Sequence, residues 1–542
     1  GATLANRNSV TAAALATSTG TSVGGALFGV SLGETGNMAT ATAEGVRSGA
    51  RDDTILNEGS LTAGSEATAG GLTVDVTLFG ASSGSANTQA EARTSGIDSG
   101  AGDDRIDNRS TLVASAHSSA SAKGVSVVLA GSASSDTGDT TASKHAGVTA
   151  RGIVSGEGDD EIANSGSVVV DAGQPALRPD TARDGQCTEQ AGGACTSALN
   201  VTVKLAGRGR VDAGTSASAL GVGLDGGRGD DLVDNSGLVK VDALARNHTV
   251  GVGVNLFGAE STRASTLVSA TALGMLGDAG ADRLVNRGEI EVAAAADSHA
   301  DTTAVVVAGK ATAEGNTQAL TSGTGMDGGV GDDSLVNTGP ATLKVAADTF
   351  ADMIGASFSF AGSAPTLATV SAGSTAVGLG GGSGADLLKN DGGIDIAASS
   401  RVDVSGSGTA IFGGASAGSN VTASASATGI DGGDDADGIL NRGTLGVSAS
   451  ATLAARSTSF GFGNADSNDV LFSVTHATGI DAGAGDNVVI NDGTLTADAG
   501  STLAASGGAT TVFGNTSAAA NVTARTFATG IAAGAGHDVI AI

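Results

Sequence analysis

Residues 223–237 read GLDGGRGDDLVDNSG, and this stretch recurs through the chain at a constant phase. It opens on Gly223, passes through a Gly/Asp-rich turn and a short apolar run, and closes on Asn235 before Ser-Gly. Equivalent openings stand at Gly45, Gly96, Gly152, Gly274, Gly325, Gly378, Gly429, Gly479 and Gly530; successive openings lie 51, 56, 71, 51, 51, 53, 51, 50 and 51 residues apart. Twelve residues after each opening stands Asn57, Asn108, Asn164, Asn235, Asn286, Asn337, Asn390, Asn441 or Asn491, with Asn6 holding the same place at the start and Ile542 departing at the end. A third landmark, Phe-Gly or Ala-Gly, keeps step from Phe28-Gly29 to Phe513-Gly514. Three independent landmarks in one register define a structural repeat rather than a compositional bias.

Between landmarks the sequence alternates with period two, as in Val421–Thr428, VTASASAT, which places Ala on one face and Ser or Thr on the other. Such strands cannot bury their apolar face alone, so stacked parallel coils are expected: an all-β parallel β-solenoid, of the β-helix or β-roll kind, with about ten 51-residue repeats in one continuous domain over 1–542. One large coil or two smaller coils per repeat are both compatible, giving axial repeats of ~4.8 Å or about twice that. The recurrent Asn is read as a structural ladder of stacked carboxamides. The Phe-Gly landmark is read as a core plug at a corner.

The excess length is local. Asn164 and Gly207 are 43 residues apart where Asn57 and Gly80 are 23 apart, which assigns 171–196 to a surface insertion. It holds Pro175, Pro179 and the only two cysteines, Cys187 and Cys195; lacking Cys-x-x-Cys spacing and a neighbouring His, these are read as a local disulfide formed in an oxidising compartment. A smaller excess falls around Asp136–Lys144.

With 56 acidic against 27 basic residues and a formal charge of −29, the chain is unsuited to nucleic acid or anionic membrane surfaces and favours cations. Trp and Tyr are absent and Phe numbers 12, so the core is expected to be thin and built from small residues. No apolar run is long enough for a membrane-spanning helix. The first residues already stand inside a repeat, as in a processed chain or a piece of a longer one.

The turns carry the chemistry. Residues 226–234 (GGRGDDLVD), 328–336 (GGVGDDSLV) and 381–389 (GGSGADLLK) match the nonapeptide G-G-x-G-x-D-x-U-x, with looser copies at 99–107 (SGAGDDRID) and 155–163 (SGEGDDEIA). On these motifs the chain resembles the RTX family of secreted bacterial calcium-binding proteins, although RTX nonapeptides are tandem and here one falls in each 51 residues. The resemblance implies Ca2+ held by turn carbonyls and the sixth-position aspartates Asp53, Asp104, Asp160, Asp231, Asp282, Asp333, Asp386, Asp437 and Asp538. The fifth-position Asp103, Asp159, Asp230 and Asp332 are further candidates. Within the chain the sixth position is Asp in nine of ten turns, Asn487 excepted, and the fifth is acidic in six, so the sixth is the more constrained. Carboxylates stacked ~4.8 Å apart repel by roughly 1 kcal/mol in water and about 3.5 kcal/mol at a dielectric of 20, which a hard divalent cation relieves.

The expected function is that of a secreted structural protein, extracellular or at the cell surface. It would be a calcium-stabilised rod of a filament, sheath, surface layer or adhesin stalk, with other copies end to end, further repeats or surface polysaccharide as partners. The alternative is a β-helix carbohydrate-active enzyme or a polysaccharide-binding passenger domain. Catalysis needs a local, non-repeating cluster of groups. The six His look scattered and paired Asp occur within the repeat, so an enzyme is not expected.

Overall fold

A computed structural model describes residues 1–136, 145–173 and 193–542, and among them every regular element is a β-strand. A short strand such as Leu232–Asn235 and a long one such as Leu238–Ala279 together make one coil. The next coil lies directly on it in parallel register, Asn235 on Asn286 and Leu238 on Glu289. One repeat is therefore one coil, which decides between the two arrangements left open by the sequence. The short strands form an eleven-stranded sheet and the long ones a fifteen-stranded sheet.

The chain folds back at the Phe/Ala-Gly landmark, where Gly80 takes φ +137°; strands such as Leu61–Gly100 run through the fold, and in the last three coils the arms are separate strands, as in Gly393–Phe412 and Ala415–Asp434. The two arms of a coil then face one another across a thin core: Ser65 Oγ lies 2.7 Å from Thr94 Oγ1, and Ser357 Oγ lies 2.7 Å from Thr366 Oγ1. Arms of roughly twenty residues span roughly 65 Å, whereas ten coils rise only about 50 Å. Over this length the coils thus form a slab, wider along the arms than it is tall along the stack.

The core changes character from base to tip. At the base, where the short strand closes the coil, Leu61, Ile97, Ile106 and Leu112 are fully buried; Ala63, Ala67, Ala90 and Ala92 line the middle. In the VTASASAT stretch, Val421, Ala423, Ala425 and Ala427 point inward. Toward the tip the arms come together through hydroxyls, carboxamides and carboxylates, as in Ser31–Asp75 at 2.8 Å and Thr215–Thr249 at 2.7 Å. Small polar side chains bond directly across the gap, which larger apolar ones would hold open.

The opening glycine is required by this packing. A Cβ on Gly274 would stand 2.3 Å from the Gly325 carbonyl oxygen and 2.9 Å from Ile290 Cγ2, and the strand pairing skips this residue between Leu273 and Met275.

The Phe-Gly landmark is not a core plug. Phe79 and Phe257 are 44% and 55% exposed, because the tight turn at glycine leaves no interior volume for a ring and turns it outward. The rings stack along the tip instead, Phe28 on Phe79 with centroids 5.3 Å apart. The insertion is also shorter than 171–196: Asp171 and Ala172 pair with the following coil, as do Ala194–Thr196, so the ladder resumes on both sides of residues outside the described set. Cys195 stands on this strand, buried and disulfide-bonded, while Cys187 lies outside the described residues.

Candidate metal columns in the turns

The nonapeptide turn joins the second arm to the short strand, and left-handed glycines such as Gly227 (φ +93°) and Gly229 (φ +130°) shape it. Its sixth residue points into the solenoid. Asp104, Asp160, Asp231, Asp282, Asp333, Asp386 and Asp437 are all at most 3% exposed and form a single column. In every coil one carboxylate oxygen is committed to the backbone of the coil before it. Asp53 N–H donates to Asp104 Oδ1 at 2.6 Å, Asp160 N–H to Asp231 at 2.7 Å, and Asp386 N–H to Asp437 at 2.9 Å. The chain of bonds passes through Asn487, which accepts from Asp437 N–H at 2.8 Å and donates its own N–H to Asp538 at 3.0 Å.

The other oxygen, Oδ2, is buried without a hydrogen-bond partner in each of the seven aspartates from Asp104 to Asp437. In the later turns it faces the first glycine of the nonapeptide: a Cβ on Gly328 or Gly381 would come within 2.5 Å of Asp333 or Asp386 Oδ2. Earlier turns carry Ser48, Ser99 or Ser155 at that place.

Burial is the leading cause of a raised pKa along the column, against the opposing hydrogen bond from the neighbouring backbone N–H. It pushes Asp231 up to about 8, Asp386 to about 7, and Asp160, Asp282 and Asp437 to about 6. Asp104 and Asp333 also rise. Asp53, in the first turn, moves the other way, chiefly through the hydrogen bond from Ala2 N–H.

The fifth-position residues form a second column on the outside of the turn. Their bonds run in the opposite direction: Asp103 Oδ1 accepts from Asp159 N–H at 3.1 Å, Asp159 from Asp230 at 2.9 Å, Asp230 from Ala281 at 2.8 Å and Asp332 from Ala385 at 2.9 Å. Fifth and sixth carboxylates thus face opposite sides of the backbone, one set wet and one dry. A hard cation taking up the unpaired oxygens would draw on the sixth-position column, where each Asp has one oxygen to offer. Ca2+ favours such oxygen donors and would neutralise the stacked charge.

No family model, curated protein or solved structure matches this chain.

A third column closes the short strand. The carboxamides of Asn6, Asn57, Asn108, Asn164, Asn235, Asn286, Asn337, Asn390, Asn441 and Asn491 hydrogen-bond Nδ2 to Oδ1 in unbroken succession, at 2.7–2.9 Å. From Asn57 to Asn441 they are at most 1% exposed. They hold the coils in phase beside the aspartate column.

Two groupings went unnoticed in the sequence. Lys204 and Glu260 are buried in the tip core as each other's charged neighbours; burial lowers the Lys204 pKa to about 8 and raises that of Glu260 to about 8, each opposed by its partner's charge. On the outer face, His299 sits between two carboxylates, 3.2 Å from Asp301 and 3.2 Å from Asp352. Burial works against its charge, but the hydrogen bonds to both carboxylates outweigh it and raise its pKa to about 10. His248 and His299 are 51 residues apart, one full repeat, which is the signal that places them together.

Proposed function

We propose that this chain is a structural protein of the cell surface or extracellular space: a slab-like solenoid segment stiffened by Ca2+ in its aspartate column. The observation that carries this reading is the row of seven buried, partnerless carboxylate oxygens in successive turns. A protein that desolvates like charges in a line needs protons or cations there, and outside cells calcium is the abundant hard cation. The net charge of −29 supports the same choice.

The coil geometry favours mechanical use. Identical hydrogen-bonded columns run through the stack, and addition of another coil, from a second copy or from further repeats, extends them by about 4.8 Å. Stacking of this kind would give a ribbon about 65 Å wide, suited to a filament, sheath or adhesin stalk. Among the described residues no helix is long and apolar enough to cross a membrane.

Thermal unfolding with millimolar Ca2+ and then with chelator tests the metal. A higher transition in Ca2+, absent with Mg2+ at equal ionic strength, supports it, and identical transitions refute it. Electron microscopy of the Ca2+-loaded chain tests assembly: ribbons of uniform width support end-to-end stacking, and isolated slabs at all concentrations refute it. The alternative polysaccharide-binding reading has one observation in its favour, the exposed Phe column at the tip. Retention on immobilised polysaccharide that is lost in F79A would favour it.

A further inference from the structure

The outer face of the first arm carries a cluster that the repeat does not need. Register stacks His248, His299 and Asp352 in successive coils, and Asp301 stands two residues beyond His299 on the same face. The same column holds Thr19, Gly70, Ser121 and Ser197 before the histidines and Asp403, Ala454 and Ala504 after Asp352. The coils therefore stack equally well without imidazole, and the cluster is a local addition to the scaffold.

Its geometry is that of a ligand set. The rings of His248 and His299 have centroids 4.7 Å apart and are tilted by 50°. Ligand atoms of His248, His299 and Asp301 all lie within 4.8 Å of one another, and each residue is partly buried yet reachable from solvent. His299 Nε2 and Asp301 Oδ2 are 3.2 Å apart. Tetrahedral zinc, with bonds of about 2.0–2.2 Å to nitrogen and oxygen, sets its ligands roughly 3.4 Å apart. The other ring nitrogen, Nδ1, is 3.2 Å from Asp352 Oδ2. A carboxylate on the far nitrogen is the usual means of fixing the orientation of a metal-binding imidazole.

We propose that His248, His299 through Nε2, and Asp301 form a binding site for one divalent transition-metal ion of the zinc class, with Asp352 as the positioning carboxylate. Three protein donors leave a fourth position open to water or to a donor from another molecule. The ion takes the place of the proton between His299 Nε2 and Asp301, and that proton passes to solvent. Mixed nitrogen and oxygen donors distinguish this site from the all-oxygen turn columns, since imidazole suits zinc and carboxylates suit calcium. The site stands or falls independently of calcium in the turns.

The test uses the full metal-depleted chain in excess Ca2+, titrated with Zn2+ by calorimetry. One saturable equivalent is expected, and Co2+ in its place gives visible absorption of a low-symmetry nitrogen/oxygen site. H248S, which installs the residue that Ser197 supplies one coil earlier, is expected to weaken Zn2+ binding at least tenfold, as is removal of any ligand. D352N is expected to weaken it about 10- to 100-fold by releasing the ring orientation. The structural alternative, in which His299 is only an ion-pair partner of its two aspartates, leaves H248S unchanged. Absence of a saturable equivalent, or equal affinity in H248S, overturns the proposal. X-ray absorption of the Zn2+-loaded wild type counts imidazoles without any substitution: two support the site, and one or none overturns it.

Discussion

Asp231 separates the two services that the sixth turn position performs. Its Oδ1 accepts Asp160 N–H at 2.7 Å, and its Oδ2 is the buried oxygen without a partner. D231A removes both, leaving a buried N–H without an acceptor at a cost of about 1–3 kcal/mol. D231N keeps the acceptor and removes the charge, as Asn487 already does in its own turn; its Nδ2 is then buried without a partner, as that of Asn487 is, which costs less than an unpartnered charge. In chelator at pH 8 and above, D231N is therefore expected to be at least as stable as wild type, and D231A less stable than D231N by about 1–3 kcal/mol. If the melting unit spans 150–250 residues, each kcal/mol moves the transition by about 2–4 °C, so the two variants should separate by several degrees. Adding Ca2+ should raise wild type more than either variant. Calorimetric melting of the three proteins in chelator and in Ca2+ reads both effects. Equal stability of D231A and D231N would refute the hydrogen-bond column, and equal Ca2+ gains in all three would refute the charge column.

Other outcomes follow from the same geometry. Because the folded-state pKa values are raised to about 6 for Asp160, Asp282 and Asp437, about 7 for Asp386 and about 8 for Asp231, their contribution is full below the unfolded carboxylate value near ~4 and is lost progressively as pH rises from there through the folded values, ending near 8. The melting temperature in chelator should fall over that window, a fall that Ca2+ suppresses; a flat profile in chelator contradicts the column's burial. K204V, which copies Val128 from the adjacent coil, should cost about 3–5 kcal/mol by leaving Glu260 buried without its cation. K204V/E260A, with the alanine found at Ala311, should recover most of that loss in urea unfolding. N286A interrupts two links of the carboxamide ladder, at 2.9 Å on each side, and should cost about 1–3 kcal/mol for each orphaned buried group, with amide exchange quickening first in the Asn235 and Asn337 turns. G274A should fail to close its coil, since its Cβ would meet the next coil's backbone, whereas G36A, with nothing within 4 Å, should be silent in circular dichroism and melting.

The period, the parallel strands and the three columns were legible because each reports a constraint felt once per coil. Glycine must stand at the opening, where a Cβ would strike the next backbone, and Asn must hand its hydrogen bond onward. Coil number per repeat was not legible, because a strand such as Leu238–Ala279 folds back at one glycine without interrupting its alternation. The same fold-back hid the fate of Phe79 and Phe257: a Phe-Gly pair reads as a corner, but which side of the corner the ring takes depends on how thin the core is there. The aspartates stand in the turns where the motif puts them, yet the separation of fifth and sixth positions to opposite sides of the backbone follows from alternation along the chain and is not carried by the motif's spacing. The histidine pair is hidden in the sequence because only His248 and His299 share a place in the repeat, while His117, His145 and His476 stand in other columns.

One coil per 51 residues has a further consequence for the two broad faces. Outward side chains lie on a lattice with spacings of about 4.8 Å between coils and about 6.6 Å along the strand. Sequence number is then an address: adding two moves a residue one site sideways, and adding one coil's length, 51 residues from His248 to His299 and 53 from His299 to Asp352, moves it one site up. A constellation written at one address, such as that of His248, His299 and Asp301, can be transcribed to another by translation alone, so this fold is a pegboard on which sites are placed without redesigning what holds them.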